Sequence, residues 1–565
     1  MRRGSSVDQE GRADDSKAGV DSLQQSTYDT ECIEIVICSL RRSSIALLYR
    51  TAARFVNGHT TAIQPERLDT ILILFFGLIL ITSVNHNLDT LSTGFSDKMG
   101  LQSNPVVQRI YRSLPVPLQN AAVSVLGYRI KRKRYNREFK RYSRRYHQHQ
   151  WRDKSEWNRE QVDKLRSVLE TAVHTTDHYR DLETIDLEQE TLVTEQIKSL
   201  PLLSADVLKN DPQSLISNQV DVDNCISLST SGTTGTPKTT YHSPSSQRKY
   251  WAAMDRFWRQ GGCRYGDRRA SFTGNKIVPT EKDNGPFGRI DYANNRLLLS
   301  TYHLGTDTVD EYLELLKDFN PDFIDGYPSS IRYCSQRAME TNFDLRIPAC
   351  FPTAETLSQQ DREIIEEGLS TKVFNQYGST ESACLITECR CGNLHVNPEI
   401  GIVEIIDSHG EPVSAGEVGE LVLTGLNNHT MPLIRYRIGD LARGPPKYIE
   451  CACGWNTPVI EEVIGRQDEV VITADGRRIP MLSYNVFKYT KNIKESQIVQ
   501  ESVDEFILKI VPDEDYTEDQ ATIAVEKLKS RVGKDISVEV DLLEALPRTD
   551  SGKYRAVISN VDSKN

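Results

Sequence analysis

Between Ser229 and Lys238 the chain reads STSGTTGTPK, a run of hydroxyls and glycines closed by one lysine. Holding a polyphosphate is a task that suits this composition. Gly232 and Gly235 lack a Cβ, so backbone N–H groups can close on phosphate oxygens. Ser229, Thr230, Ser231, Thr233 and Thr234 add neutral donors, and Lys238 adds a mobile positive charge. The common P-loop needs lysine directly after glycine, and here Thr236 and Pro237 intervene. A solvated Ser/Thr/Gly linker has the same composition, so this segment alone leaves both readings open. A second group of residues is soft: Cys389-x-Cys391 with Gly392 and His395, and Cys451-x-Cys453 with Gly454. A closed zinc site takes four such ligands, thiolates plus an imidazole, and would staple two distant loops. Five are on offer at C-x-C instead of C-x-x-C spacing, and reduced, buried thiols are the alternative. Cys225, Cys263, Cys334, Cys350 and Cys384 show no paired spacing and receive no role.

Four further segments follow the hydroxyl-rich run: YGSTE at Tyr377–Glu381, RYRIGD at Arg435–Asp440, GRQDE at Gly465–Glu469 and PRTDSGK at Pro547–Lys553. In order and spacing the five resemble the adenylate-forming superfamily of acyl-CoA synthetases, adenylation domains and luciferases. The stretch FPTAETLSQQDREIIEE (Phe351–Glu367) is most similar to the phenylacetate:CoA ligase branch, which includes ligase-like proteins linked with capsular polysaccharide genes. The resemblance runs from about Leu114 to the C-terminus and is strongest from Ser229 to Arg466.

That resemblance implies an α/β fold: a large multi-layer N-terminal adenylate-forming domain and a small, mobile C-terminal α+β domain. It also implies ATP, Mg²⁺ and CoA as cofactors. The loop Ser229–Lys238 would hold the β- and γ-phosphates, Glu381 would ligate Mg²⁺, and Thr380 would meet the α-phosphate. Tyr377 would stack on adenine beside Gly378 and Ser379, with Thr353, Ala354 and Glu355 lining the same pocket. Asp440 can accept from both ribose hydroxyls, and Arg466 adds a contact from the hinge. Lys553 would reach the phosphates from the small domain, Asp468 would be the pivot, and Gly476 would line a thiol tunnel. Two departures stand out: Ile438 replaces a common threonine, and ADGRRIPM (Ala474–Met481) differs from the commonest version of the thiol-side loop. The implied activity is an AMP-forming carboxylate ligase that passes a small organic acid, aryl or other, to CoA. The alternative is transfer of the acyl group to an amine or sugar acceptor in cell-surface polysaccharide synthesis.

The elements that must position these residues are legible in outline. With 565 residues, 38% of them hydrophobic, the chain can bury substantial cores. Apolar positions Val162, Leu165, Val168, Leu169, Ala172 and Val173 predict a helix packed on one side within Trp157–Tyr179. Short apolar runs at Val373–Phe374, Gly401–Ile406 and Glu420–Leu423 alternate with helical patterns at Val309–Phe319 and Gln359–Gly368, an α/β rhythm. Asp475-Gly476 reads as a hairpin turn, and Thr517 with Gln520 as a capping box. For YGSTE a strand end followed by a capped helix start is an equally good reading. The loops Tyr302–Thr306 and Tyr327–Ser330 are candidate edges of an acid pocket, although core packing suits both tyrosines and a structural role suits His303.

Residues 1–30 are polar and charged and read as a disordered tail; residues 31–113 form an extension, 114–465 the large ATP- and acid-binding domain and 466–565 the small one. Within the extension, residues 70–84 read TILILFFGLILITSV, apolar on every face but shorter than a comfortable span. Membrane association through this segment and a buried helix both fit. The absence of a secretory signal pattern points to the cytoplasm. A net charge of −11 argues against nucleic acid as a partner of the whole molecule. The one basic stretch, Tyr128–Tyr146, suits RNA, anionic lipid head groups or a solvated helix face.

Overall fold

The computed structural model describes residues 109, 111–182, 188, 191–229, 238–279, 282, 284–445, 450–466, 471–474, 478–479, 482–487, 490, 492–513, 515–547 and 555–561. All of them belong to one compact unit, 85–565. The tail, the apolar run 70–84, residues Thr230–Pro237, Asp468, Gly476 and Lys553 lie outside the described residues. Among the described residues no helix is long and apolar enough to cross a membrane.

Two helices open the described chain, α1 (Val116–Arg134) and α2 (Arg137–His149). The predicted one-sided helix is α3 (Lys154–Thr175), started by a capping box between Asp153 and Glu156. Its buried residues include Val162, Leu165, Val168, Leu169 and Ala172, the three-and-four spacing of a single packed face. A two-stranded hairpin follows, β1 (Ile226–Ser229) with β2 (Thr239–His242). Helix α4 (Pro244–Trp258) packs its aromatic side on α2, with Tyr146, Tyr250, Phe257 and Trp258 in one core cluster.

The main sheet has six strands: β3 (Arg269–Thr273), β4 (Gly288–Asp291), β5 (Arg296–Ser300), β6 (Phe323–Gly326), β7 (Ala349–Pro352) and β8 (Lys372–Val373), in the order β4-β5-β3-β6-β7-β8. All pairings are parallel except β4 with β5. The crossovers are α5 (Val309–Phe319), α6 (Pro328–Glu340) and α7 (Gln359–Gly368). Strands buried on both faces read as continuous apolar runs, as β5 (RLLLS) does. The register sets Thr273 beside Ser300, Phe272 beside Gly326 and Gly326 beside Pro352. The carboxyl ends of β3, β5, β6 and β7 therefore finish together, where open α/β sheets place their ligand crevice.

Two antiparallel sheets flank this one. The first comprises β9 (Gln376–Gly378), β10 (Leu385–Glu388), β11 (Leu394–Val396) and, at its far edge, β15 (Val459–Ile460), in the order β15-β11-β10-β9. The second is β12 (Gly401–Ile406), β13 (Val418–Gly425), β14 (Tyr436–Arg443) and β16 (Glu462–Arg466), paired in that order. Beyond Arg466 lies a short antiparallel pair, β17 (Val471–Ile472) with β18 (Arg478–Ile479); the expected Asp475-Gly476 turn between them falls outside the described residues.

A four-stranded mixed sheet then follows: β19 (Ile493–Gln500), β20 (Glu505–Pro512), β21 (Ser537–Leu542) and β22 (Val557–Ser559), in the order β21-β20-β19-β22. Phe506, Leu508 and Ile510 alternate inward from β20 onto Ala524, Leu528 and Val532 of α8 (Glu518–Val532). Thr517 stands at the N-cap of α8, but its side chain makes no capping hydrogen bond, which corrects the capping-box expectation. Arg332 on α6 reaches across to the Lys494 carbonyl at 2.8 Å, joining this C-terminal α+β portion to the main sheet.

Candidate functional site

The phosphate-loop candidate is the connection of the β1–β2 hairpin. Ser229 lies opposite Thr239, and their hydroxyls are 3.0 Å apart, so both ends of the loop are pinned. Lys238, the last loop residue, donates from Nζ to the Tyr436 hydroxyl at 3.0 Å. That hydroxyl donates in turn to Glu381 Oε1 at 3.2 Å. Lys238 is 9% exposed and Glu381 5%, so two opposite charges share a water-poor site. Burial lowers the Lys238 ammonium, and the Glu381 carboxylate partly offsets it.

Beside this chain runs a second one. The Tyr377 hydroxyl donates to Asp440 Oδ2 at 2.5 Å, and Arg466 Nη1 lies 3.5 Å from Asp440 Oδ1. Asp440 and Arg466 face each other in the β14–β16 register. Burial, then the neighbouring Asp440 carboxylate, holds the Tyr377 phenol well above its ordinary range. Tyr436, Ile438 and Asp440 occupy alternate positions of β14 and are all buried, although the β13–β14 register shifts across residues 438–440 and Gly439 has φ +87°. Tyr436 was missed in the sequence. Its alternation with Asp440 was the available signal.

YGSTE ends β9 and enters a turn closed by Ser382 N–H to the Ser379 carbonyl at 3.0 Å, so no helix starts there. Gln376 Nε2 contacts the Pro352 carbonyl at 3.4 Å, which brings YGSTE against the end of β7 and FPTAE. Ala354 has φ +70°, a left-handed conformation that costs a residue with a Cβ about 1 kcal/mol. Glu355 Oε2 accepts from Ser329 N–H at 3.1 Å and so caps the first turn of α6. Among the described residues the Thr353 and Ser379 hydroxyl oxygens are buried without a hydrogen-bond partner. Unmet buried hydroxyls on facing segments fit a nucleotide whose polar edge would satisfy them. Glu381 and Thr380 supply the oxygen donors a hard divalent cation prefers.

On the acid side, Tyr302 donates to the Gly274 carbonyl at 3.0 Å and Tyr327 is buried in the core. His303 has both ring nitrogens engaged, Nδ1 with the Ser300 hydroxyl at 2.7 Å and Nε2 with the Pro279 carbonyl at 3.0 Å. It also stacks on Phe287. A histidine held this way is a structural one.

The soft cluster assembles as well. One ligand atom each from Cys389, His395, Cys451 and Cys453 lies within 4.8 Å of the others, while Cys391 is exposed and outside the group. Each half is the same turn: Gly392 N–H donates to the Cys389 carbonyl and Gly454 N–H to the Cys451 carbonyl, both at 2.9 Å. Both glycines sit at positive φ, +88° and +82°, where a Cβ would strain the turn. Cys389 and Cys451 sulfurs are 3.5 Å apart, too far for a disulfide and close to the ~3.8 Å that tetrahedral zinc with Zn–S of about 2.3 Å imposes. Thr457 Oγ1 lies 3.0 Å from His395 Nδ1, and His395 Nε2 faces Cys453 at 3.6 Å, the ring orientation a metal ligand needs. Burial pushes this imidazole down to about 4. Burial raises the Cys451 thiol, but hydrogen bonds from Cys453 and Asn393 outweigh it and hold the thiol below its ordinary value.

The family model for the CapK C-terminal domain matches residues 471–560. Protein CapK of Staphylococcus aureus is 26% identical over 462 residues, covering 80% of this chain and 99% of CapK. Phenylacetate-coenzyme A ligase of Thermus thermophilus is 27% identical over 276 residues, covering 43% of this chain and 61% of the ligase. Among solved structures, 2-hydroxyisobutyryl-CoA ligase in the postadenylation state with 2-HIB-AMP matches at TM-score 0.58 and 18% identity, over 73% of this chain and 91% of that one. At that identity the match speaks to the fold, which is that of the adenylate-forming CoA ligases.

Proposed function

We propose, for a chain that has this fold and counts CapK and phenylacetate-coenzyme A ligases among its homologues, that it is an AMP-forming ligase activating a small organic acid. The observation that supports the reading most is the pairing of Lys238–Tyr436–Glu381 with Tyr377–Asp440–Arg466. It joins the end of the phosphate loop, YGSTE, RYRIGD and the hinge strand in one polar group.

In this reading the carboxylate of the acid attacks the α-phosphorus of ATP in line. A carboxylate O–P bond forms as the bond to pyrophosphate breaks, leaving an acyl-adenylate. The protein has little covalent work to do, so its task is alignment and charge neutralisation. The loop Ser229–Lys238 holds the β- and γ-phosphates, and Thr380 takes the α-phosphate. Glu381 with Thr380 would hold Mg²⁺, which neutralises phosphate charge when bound. Asp440 exchanges the Tyr377 hydroxyl for the ribose hydroxyls, freeing the Tyr377 ring to stack on adenine with Gly378, Ser379, Ala354 and Glu355 around it. Lys553 enters from the small domain, Asp468 is the pivot that withdraws it, and Gly476 lines the approach of the thiol. CoA is the acceptor and an aryl or other small acid the substrate. Cys389, His395, Cys451 and Cys453 would hold a structural zinc ion.

A second reading keeps adenylation but hands the acyl group to an amine or sugar. It is favoured by the small domain, which matches the CapK C-terminal model, and by alignment across 99% of CapK. The test is pyrophosphate release with ATP, Mg²⁺ and a panel of carboxylic acids, the adenylate being trapped as its hydroxamate. Release with at least one acid is expected; silence with all of them removes both readings. AMP release that requires CoA selects the first.

A further inference from the structure

Helices α1 and α2 carry a surface that the ligase reading does not use. From Tyr128 to His149 the chain has ten lysines and arginines and one carboxylate, Glu138, although the whole chain has 79 acidic residues to 68 basic ones. Helix α2 sorts its residues sharply. Phe139, Ser143 and Tyr146 are buried against α4, with the Ser143 hydroxyl donating to Asp255 at 2.6 Å. Arg137, Lys140, Arg141 and Arg144 recur at three and four residues on the opposite face, and all are exposed. Arg132 at the end of α1 extends the same exposed charge. Glu138 is engaged first by Arg248 at 2.6 Å and by Ser245, and of the four charges on α2 it feels only Arg141, more weakly than either.

Helix α3 shows what an ordinary solvated face of this protein looks like. There the exposed Arg166 and Asp163 pair with each other. Like charges at i,i+3 and i,i+4 repel, so a helix face of one sign carries a cost that an anionic surface facing it would relieve. The aromatic residues decide which anionic surface. Unstructured RNA needs exposed rings on which bases stack. The rings within the stripe are turned inward: Phe139 and Tyr146 are buried, and Tyr142 is held between Arg141 and Lys249. The large exposed aromatics are instead at its two ends, Tyr128 and Trp151, each 53% exposed. Amphipathic rings flanking a basic stripe suit the head-group layer of a bilayer.

We propose that the outer face of α1–α2 docks the protein on an anionic lipid surface, with Arg132, Arg137, Lys140, Arg141 and Arg144 meeting the lipid phosphates. The test uses the full chain in co-sedimentation with phosphatidylglycerol/phosphatidylcholine vesicles and with phosphatidylcholine alone. Binding is expected to favour the anionic vesicles and to fall at least tenfold at 0.5 M salt, as screening requires. Replacing Arg137, Lys140, Arg141 and Arg144 together by Gln is expected to cause a similar loss, with acid-dependent pyrophosphate release unchanged. Should that variant fold poorly, the pairs Arg137→Gln/Lys140→Gln and Arg141→Gln/Arg144→Gln should each lose about threefold. Equal binding to neutral vesicles, or partition indifferent to the substitutions, overturns the proposal. So does tighter binding of a single-stranded RNA that the same substitutions abolish.

Discussion

One four-stranded sheet carries Tyr377 on the strand at one edge, β9, and the Cys/His cluster around β11 and β15 at the other. The two edges are built from different chemistry. At the cluster, backbone turns with glycine at their corners fix the sulfurs, and Thr457, Asn393 and the Trp455 N–H hold the ligand atoms in place. At the cleft, side chain meets side chain: Tyr377 with Asp440, Asp440 with Arg466, Lys238 with Tyr436, Tyr436 with Glu381. Hydrogen bonds of the second kind can be exchanged for those of a ligand at little cost, because partners are swapped and none is left unmet. Backbone-built turns cannot exchange without unfolding. On the proposed reading turnover belongs to one edge and stability to the other, and mutations should separate them.

The largest separation is expected from Glu381→Gln. The amide keeps an oxygen for the Tyr436 hydroxyl but removes the charge that a divalent cation needs. Adenylation should fall about 10³-fold, roughly 4 kcal/mol in the transition state, with a smaller loss of stability because Lys238 loses the charge that offsets its burial. Turnover unchanged in a Mg²⁺ titration would strike Glu381 from the metal site. Cys451→Ser should do the reverse, losing zinc by elemental analysis and about 3 kcal/mol of stability, while adenylation per folded molecule stays within about threefold. Full zinc content in that variant removes Cys451 from the ligand set. A collapse of turnover without loss of stability would instead dissolve the division between the edges.

Much of this was legible in the chain because it is local. Helices Val309–Phe319 and Gln359–Gly368 occupy the residues their periodicity predicts, the first burying Val309, Tyr312, Leu313 and Leu316 and the second Ile365. The order of the motifs anticipated the fold, and paired C-x-C-G turns anticipated the soft cluster. What stayed hidden depends on register and on distant partners. Tyr436 reads as an ordinary strand residue, and its bond to Lys238, 198 residues away, exists only because β14 presents it to the cleft; a slip by one would turn it outward. That Glu355 also caps α6 through the Ser329 N–H depends on the fold and could not be read from the sequence. Cys391 has the same type and spacing as its neighbours, yet lies outside the cluster because the turn carries it into solvent.

Acid should expose the cleft side next. His242 on β2, just past the phosphate loop, is buried with Nε2 at 3.0 Å from the Thr240 hydroxyl, and burial pushes its imidazole down to about 3. The unfolded chain takes up this proton near pH 6.5 and the folded chain does not until about pH 3. The stability is therefore fully present above 6.5 and is lost as pH falls toward 3. Linkage puts the loss between pH 7 and 5 at about 2 kcal/mol. Denaturant titrations of His242→Gln should show the cleft's share removed, and an unaltered slope would mean that this imidazole titrates normally in the fold.

The smallest effect is the most discriminating. Tyr436→Phe deletes one hydroxyl, which accepts from Lys238 and donates to Glu381. The ring still fills its place in the core, so packing is preserved. Lys238 loses its acceptor and Glu381 its donor, and the end of the phosphate loop is no longer tied to YGSTE. If alignment of these groups limits adenylation, kcat should fall about tenfold, roughly 1.4 kcal/mol, with a smaller rise in the KM for ATP. A stability loss of about 1 kcal/mol is expected alongside, the ordinary worth of a buried hydrogen bond. If instead KM rises with kcat untouched, the hydroxyl serves binding alone. An unaltered kcat and KM with only the stability loss would make it scaffold, placing this part of the cleft with the cysteine edge.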